Sequence, residues 1–271
     1  MKHQTFFRNK CVFTNDEFAR YLSEQGDYGK RAAERFLAYY KSTGRIQQIR
    51  RGLYAVNSER AQISPSVPGS VDPYLVASKL TPDAVLSHHT ALEFHGRAHS
   101  IWQRFVYSSA RPLAPVQFAL WEFRGTTFPA QLLRAGATDY DVLTGERAGC
   151  NLRVTSFERT LVDVLDRPDL AGSWEEIWLS LESIEFFNLG RVIGYTELLS
   201  NATTAAKVGF FLEQHRDALM VEQQHLDALK KMCPKQPHYL DRAARGSGRY
   251  LPEWQLIVPV SLLEQSWRDD V

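Results

Sequence analysis

Residues 44–56 read GRIQQIRRGLYAV. Ile46 to Ile49 and Leu53 to Val56 have the composition of two short strands, and Arg50-Arg51-Gly52 sits between them as a turn. Ile46 and Ile49 are three apart rather than two or four, so the spacing predicts one bulge or an early strand end. A turn needs only the glycine. The paired arginines ask for something negatively charged at the tip of the hairpin.

Upstream, Thr14-Asn-Asp-Glu17 has the form of a capping box, and Phe18, Tyr21 and Leu22 give the helix after it an apolar stripe. Gly26-Asp-Tyr-Gly29 breaks that helix. A second helix is expected from about Lys30 to Ser42, stopped by Gly44. At 100° per residue, Ala32, Ala33, Phe36, Leu37 and Tyr40 share one arc of it, and Arg31, Arg35 and Ser42 lie near the opposite arc, flanked by Lys30 and Lys41. An additional short helix before Thr14 is compatible with the pattern. Helix, turn, helix and hairpin within sixty residues are the parts of a winged helix-turn-helix.

Charge distribution agrees with an anion-binding head. The 271 residues have a formal net charge of +1, yet residues 1–60 hold 12 Lys and Arg against 6 Asp and Glu, which leaves −5 on the remainder. A basic head on a mildly acidic body points to nucleic acid as the local partner. Most single arginines are solvated surface. Here charge, helix phasing and hairpin coincide, and the DNA-binding candidates are Lys30, Arg31, Arg35, Lys41, Arg45, Gln47, Gln48, Arg50 and Arg51. Arginine's planar fork suits guanine edges and phosphate oxygens alike.

The stretch ISPSVPGSVDP (63–73) reads as a linker, which sets the expected organisation: residues 1–60 as the winged helix-turn-helix, 61–73 as linker, 74–271 as a larger domain. In that larger part, 73–80 and 87–95 look helical. Strands are expected at 101–109, 116–123 and 150–154. Thr155-x-x-Glu158 is expected to open a helix carrying Leu161, Val162, Val164 and Leu165. Further helical patterns occupy 174–186, 195–200 and 204–232, and Trp254–Val260 is expected to be a last strand. No regular βαβ rhythm appears. The expected class is α+β: an N-terminal winged helix-turn-helix followed by a larger mixed α/β C-terminal domain.

Taken in order, GRIQQIRRGLYAV (44–56), DPYLVASKL (72–80), AVLSHHTALEFHG (84–96) and VTSFERTLVDVLDRP (154–168) resemble AbiEi-type antitoxins of type IV toxin–antitoxin, or abortive infection, systems. The resemblance continues more loosely at AAKVGFFLE (205–213) and WQLIVPVSLL (254–263). It implies a winged helix that represses its own operon by binding inverted repeats in promoter DNA, as a dimer on the DNA. It also implies that residues 74–271 form an antitoxin domain counteracting a nucleotidyltransferase toxin, without a stable complex being required. Ser87, His89, Thr90, His95, Gly96, Glu158, Arg159, Thr160 and Asp163 are the family-motif positions of that domain. Arg50, Arg51 and Tyr54 lie inside the shared wing motif, with Tyr54 expected to pack rather than to contact DNA.

Chemistry is sparse elsewhere. His88, His89, His95 and His99 do not have H-E-x-x-H spacing, so capping and core roles are preferred to a metal site. Arg159 and Asp163, at i and i+4, are expected to pair structurally rather than to join Asp166 in catalysis. Asp139-Tyr-Asp141-Val has the D-h-D-h form used by nucleotidyltransferases, but Gly125, between Arg124 and Thr126, makes a degenerate phosphate turn. No E-x-K triplet of a nuclease occurs. Arg242, Arg245 and Arg249 form a second basic stretch, read as surface loop ahead of a further nucleic-acid contact.

Cys11, Cys150 and Cys233 give no disulfide framework. No run of about 18 apolar residues occurs and the N-terminus lacks a signal core, so a cytoplasmic protein is expected. No catalytic residue, metal or cofactor is expected. The alternatives are a stand-alone winged-helix regulator with a ligand- or partner-sensing C-terminal domain and, third, a DNA-targeted nuclease or nucleotidyltransferase.

Overall fold

A computed structural model describes residues 3–26, 29–57, 71–241, 248–265 and 267, with Lys30 described in its backbone alone. The fold is α+β, as the sequence leads one to expect. Residues 61–70 of the expected linker, residues 27 and 28 of the interhelical break, and Arg242 and Arg245 of the second basic stretch lie outside the described residues.

The N-terminal segment runs α1 (Gln4–Asn9), β1 (Val12–Thr14), α2 (Asn15–Glu24), α3 (Lys30–Ser42), β2 (Ile46–Arg50) and β3 (Leu53–Val56). The strands form one sheet in the order β1-β3-β2, both pairs antiparallel. That order and connectivity are those of a winged helix. The capping box is present: Glu17 N–H donates to Thr14 Oγ1 at 3.2 Å, and Thr14 N–H donates to Glu17 Oε2 at 2.8 Å. Helix α3 has the expected bounds, and its expected inner arc is buried at Ala33, Leu37 and Tyr40. These join Phe6, Phe13, Phe18, Leu22 and Ile46 in one core. Register shifts between Gln48 and Arg50, which is the bulge implied by the Ile46–Ile49 spacing.

The chain continues through α4 (Pro73–Ser78), β4 (Val85–Leu86), α5 (His89–Phe94), β5 (Arg104–Ser109), β6 (Val116–Phe118), β7 (Trp121–Thr127), α6 (Ala130–Ala135), β8 (Val142–Arg147) and β9 (Cys150–Thr155). Six of these strands form a sheet in the order β6-β7-β5-β4-β9-β8. It is mixed: β5 pairs parallel with β7, which pairs antiparallel with β6. The single strand expected over 116–123 is two, folded back at Ala119, whose φ of 53° makes a tight reversal without glycine.

Then follow α7 (Phe157–Asp166), a 3₁₀ turn (Pro168–Leu170), α8 (Trp174–Glu182), α9 (Leu189–Leu199), α10 (Ala202–Gln214), α11 (Gln223–Lys230), β10 (His238–Tyr239), β11 (Gly248–Leu251), β12 (Leu256–Pro259) and α12 (Val260–Glu264). The cap of α7 is Ser156, not Thr155: its side chain accepts from Arg159 N–H. The helical stretch expected over 204–232 is two helices, with Met220 between them at φ 52°. The helix seen at 195–200 starts earlier, at Leu189, capped by Asn188.

Two compact units result. The first holds Met1–Leu86, Trp102–Thr127 and Thr144–Arg153, and the second holds Ser87–Ile101, Phe128–Leu143 and Val154–Val271. The winged helix thus shares a unit with most of the six-stranded sheet. The second unit has its own core, drawn from α7 to α11 and β12, with Trp178, Tyr195, Phe211 and Trp254 at its centre. Gly209 on α10 lies against the Trp254 ring so closely that a Cβ there would collide with it. No described helix is long and apolar enough to cross a membrane.

Candidate nucleic-acid interface

Helix α3 presents Arg31, Arg35 and Ser42 to solvent on the face opposite its buried arc, with Lys41 exposed on the flank. The phasing read from the sequence therefore holds at these positions; the Lys30 side chain lies outside the described residues. Lys41 Nζ donates to Gln48 Oε1 at 3.3 Å, which ties the C-terminal end of α3 to the wing strand β2. Gln47 is exposed and Gln48 half-buried. Arg45 is half-buried, its guanidinium carbon 5.9 Å from the Tyr40 ring centroid. Tyr54 stacks on Phe13 at 5.8 Å and packs the wing.

The arginine pair at the wing tip separates. Arg51 is exposed. Arg50 is half-buried, and its Nη2 donates to the Leu80 carbonyl at 2.6 Å. It also lies close enough to the Tyr107 hydroxyl to pull that phenol toward ionisation, against the larger effect of burial. Arg50 thus braces the wing against a carbonyl of its own unit, while Arg51 does not share that contact. Nearby, Lys79 Nζ donates to Glu17 Oε2 at 2.8 Å, and Lys10 stands 3.6 Å from Glu17 Oε1. Burial alone would raise the Glu17 carboxyl, but the Lys79 hydrogen bond, the Thr14 N–H and both lysine charges bring it below its ordinary value. The capping carboxylate of α2 thus also anchors the residue that follows α4.

Three exposed residues of α3 escaped the sequence reading: Glu34, Ala38 and Tyr39, the last 60% exposed. The same phasing that finds Arg31 and Arg35 finds them, since Tyr39 is one turn beyond Arg35.

Of the nine positions that the resemblance singles out in the second unit, six are buried, while His95 and Glu158 are half-buried and Gly96 is exposed. Ser87, His89, Thr90, Arg159 and Thr160 are fully buried and Asp163 is 4% exposed. Arg159 Nη1 donates to the carbonyls of Thr138 and Tyr140, each at 2.7 Å, and its Nε stands 3.5 Å from Asp163 Oδ2. Tyr195 Oη donates to Asp163 Oδ1 at 2.6 Å. Burial pushes the Asp163 carboxyl up to about 6, against the pull of Arg159 and the Tyr195 hydrogen bond. The pairing expected at i and i+4 is therefore an interior strut that fixes the turn at 138–140. Glu158 is half-buried and accepts from Asn188 N–H at 2.9 Å. Gly96 ends α5 with φ 68°, the left-handed position a glycine takes at least cost.

The histidines do not converge. His89 Nε2 lies 3.2 Å from Glu176 Oε1, and its Nδ1 lies 3.7 Å from Glu93 Oε2. His95 Nε2 meets the Thr155 carbonyl at 2.8 Å, and His99 is exposed. His88 is buried beside Ser87 Oγ at 2.9 Å, with φ 54° and ψ −134°. Burial, helped by the charges of Arg167 and Arg159, pushes its imidazole down to about 3. Among the described residues, no group of three or more His, Cys, Asp or Glu side chains is placed to hold a metal ion.

The D-h-D stretch lies in a turn. Asp141 has φ 50° and pairs with Arg191 at 3.3 Å, and Asp139 is exposed. Gly125 is inside β7 beside Tyr107 of β5, where a Cβ would stand 2.6 Å from Pro112 Cβ, so it serves strand packing rather than a helix N-terminus. Arg249 is exposed on β11.

No protein-family model matches the chain, and no curated protein does. Among solved structures it is similar to the one titled "Crystal structure of RV2827C protein from Mycobacterium tuberculosis", with a TM-score of 0.58 and 18% identity over 97% of this chain and 92% of that one. At that identity the likeness shows a shared fold alone.

Proposed function

We propose that the chain is a promoter-binding repressor of the type IV antitoxin kind, reading DNA through α3 and Arg51. The observation that carries the DNA-binding half is the division of α3 within a winged helix: apolar arc buried, Arg31, Arg35 and Lys41 outward beside the wing. Such a helix enters a major groove, and the wing contacts the adjoining backbone. The antitoxin half rests on the ordered succession of motifs. In it, the second unit counteracts a nucleotidyltransferase toxin of the same operon, and the repressor acts on its own promoter. The protein has no catalytic step of its own in this reading.

Burial of the motif residues favours one refinement. Ser87, His89, Thr90, Arg159, Thr160 and Asp163 maintain the second unit's interior, so any surface that meets a toxin is built from other residues. The same burial suits the second reading, a regulator outside any toxin pair whose C-terminal region senses a different partner.

Binding of the full chain to a duplex of its own upstream region tests the proposal. The expected result is a salt-sensitive complex at least about a thousandfold tighter than with a scrambled duplex. Equal affinity for both duplexes, or none for either, overturns it. Co-expression with the product of an adjacent nucleotidyltransferase gene separates the two readings: restored growth supports the antitoxin, and unrelieved toxicity supports the regulator.

A further inference from the structure

The outer row of α3 carries more than charge. At 100° per residue Arg31, Arg35, Ala38 and Ser42 fall within about 60° of arc, and all four are exposed. Glu34 and Lys41 flank that row on one side and Tyr39 on the other. A face that only held phosphates would be cationic throughout. This one directs two guanidiniums, a carboxylate and a bare methyl group to the same side. Those groups match distinct base edges in the major groove: guanine O6 and N7 for arginine, cytosine N4–H₂ for glutamate, the thymine methyl for alanine. Ser42 adds little readout, because its hydroxyl donates to the Tyr39 carbonyl at 2.9 Å.

Resting on the DNA-binding role proposed above, we infer that α3 selects half-sites holding two guanines two base steps apart, followed by a thymine. Arg31 and Arg35 are one turn apart, about 6 Å along the axis, against about 3.4 Å per base step. Ala38 follows at about 4.5 Å, one to two steps further. Glu34 lies beside the guanidiniums, where it accepts from the N4–H₂ of a cytosine and repels phosphate. That repulsion turns the row toward the bases. Lys41, tied to Gln48, keeps the end of the helix at the wing, so backbone contact there belongs to the wing. Tyr39, on the other flank, is 60% exposed and packs its ring edge-on against Tyr40.

Selection of the full chain's ligands from a fully randomised duplex library reads the inference directly. The wild type should enrich two guanine columns two steps apart and a thymine column beyond them. Arg35→Ala should reduce one guanine column to background while the other persists, and weaken binding to the consensus duplex about ten- to a hundredfold. Arg35→Gln should turn that guanine column to adenine, because an amide meets adenine N6 and N7, a switch that loss of charge or of folding would not produce. Ala38→Asn should turn the thymine column to adenine, because an amide meets adenine N6 and N7. A consensus without guanine columns, or columns unchanged in both Arg31→Ala and Arg35→Ala, overturns the inference. Salt-dependent binding with no enrichment overturns it and leaves DNA binding standing; no DNA binding overturns both.

Discussion

Arg50 donates from Nη2 to the Leu80 carbonyl at 2.6 Å, while Arg51, next to it in the chain, stands exposed. Two adjacent arginines at a hairpin tip thus do different things. One fastens the wing and the other stands in solvent.

Removing each should have a different signature. Arg50→Ala is expected to cost about 1–2 kcal/mol, since it deletes a charged hydrogen bond in a half-buried setting. It should leave the salt dependence of DNA binding nearly unchanged. Arg51→Ala should keep stability within about 0.5 kcal/mol of the wild type and lower the slope of log K against log salt by about one. Denaturant melts and binding at several salt concentrations check both.

Arg159 makes a sterner prediction. Arg159→Met removes the donor to the Thr138 and Tyr140 carbonyls and strands the buried Asp163 carboxylate. About 3–5 kcal/mol of stability should be lost. Adding Asp163→Leu should recover part of it, because the uncompensated buried charge disappears with it. A double variant no more stable than Arg159→Met would show that the pair is not the source of the loss.

Acid should separate His88 from Asp163. The folded His88 resists protonation down to about 3, so the unfolded chain binds its proton first and stability falls as pH drops below about 6.5. Asp163 has the opposite sign: the folded carboxyl takes its proton at about 6, above its unfolded value, so its contribution to stability is fully present at low pH and is lost as pH rises through about 6. Between pH 4 and 6 the two effects oppose, each about 1.4 kcal/mol per pH unit. Relative to the wild type, His88→Asn should gain stability on acidification through that window and Asp163→Asn should lose it. Equal slopes in all three proteins would remove both groups from the acid response.

Much of the N-terminal segment was legible because its signals are local. Thr14 and Glu17 make their capping box across three residues, and the bounds of α3 follow from its apolar arc and Gly44. Strand β1 was not legible: three residues are too few for an alternating pattern. The reversal at Ala119 and the break at Met220 carry no glycine or proline, so two strands read as one and two helices as one. The site divided in the same way. Exposure of Arg31 and Arg35 follows from helix phasing, which local sequence contains. The fate of Arg50 depends on a carbonyl 30 residues away, and that of Arg159 on carbonyls about 20 residues upstream in a turn. Spacing at i and i+4 announced the Arg159–Asp163 pair but not that it is buried. Distant backbone decides that.

Whether α3 and Arg51 hold DNA, as proposed, can be read from one titration. Full-length wild type and an Arg31→Ala/Arg35→Ala/Arg51→Ala variant are compared on a duplex of the upstream region across a range of salt. A steep wild-type slope is expected, lower by about one in the variant as the Arg51 phosphate contact goes, together with loss of preference over a scrambled duplex as Arg31 and Arg35 leave the base edges, in a protein that melts like the wild type. A variant with unchanged slope and unchanged preference would contradict the proposal.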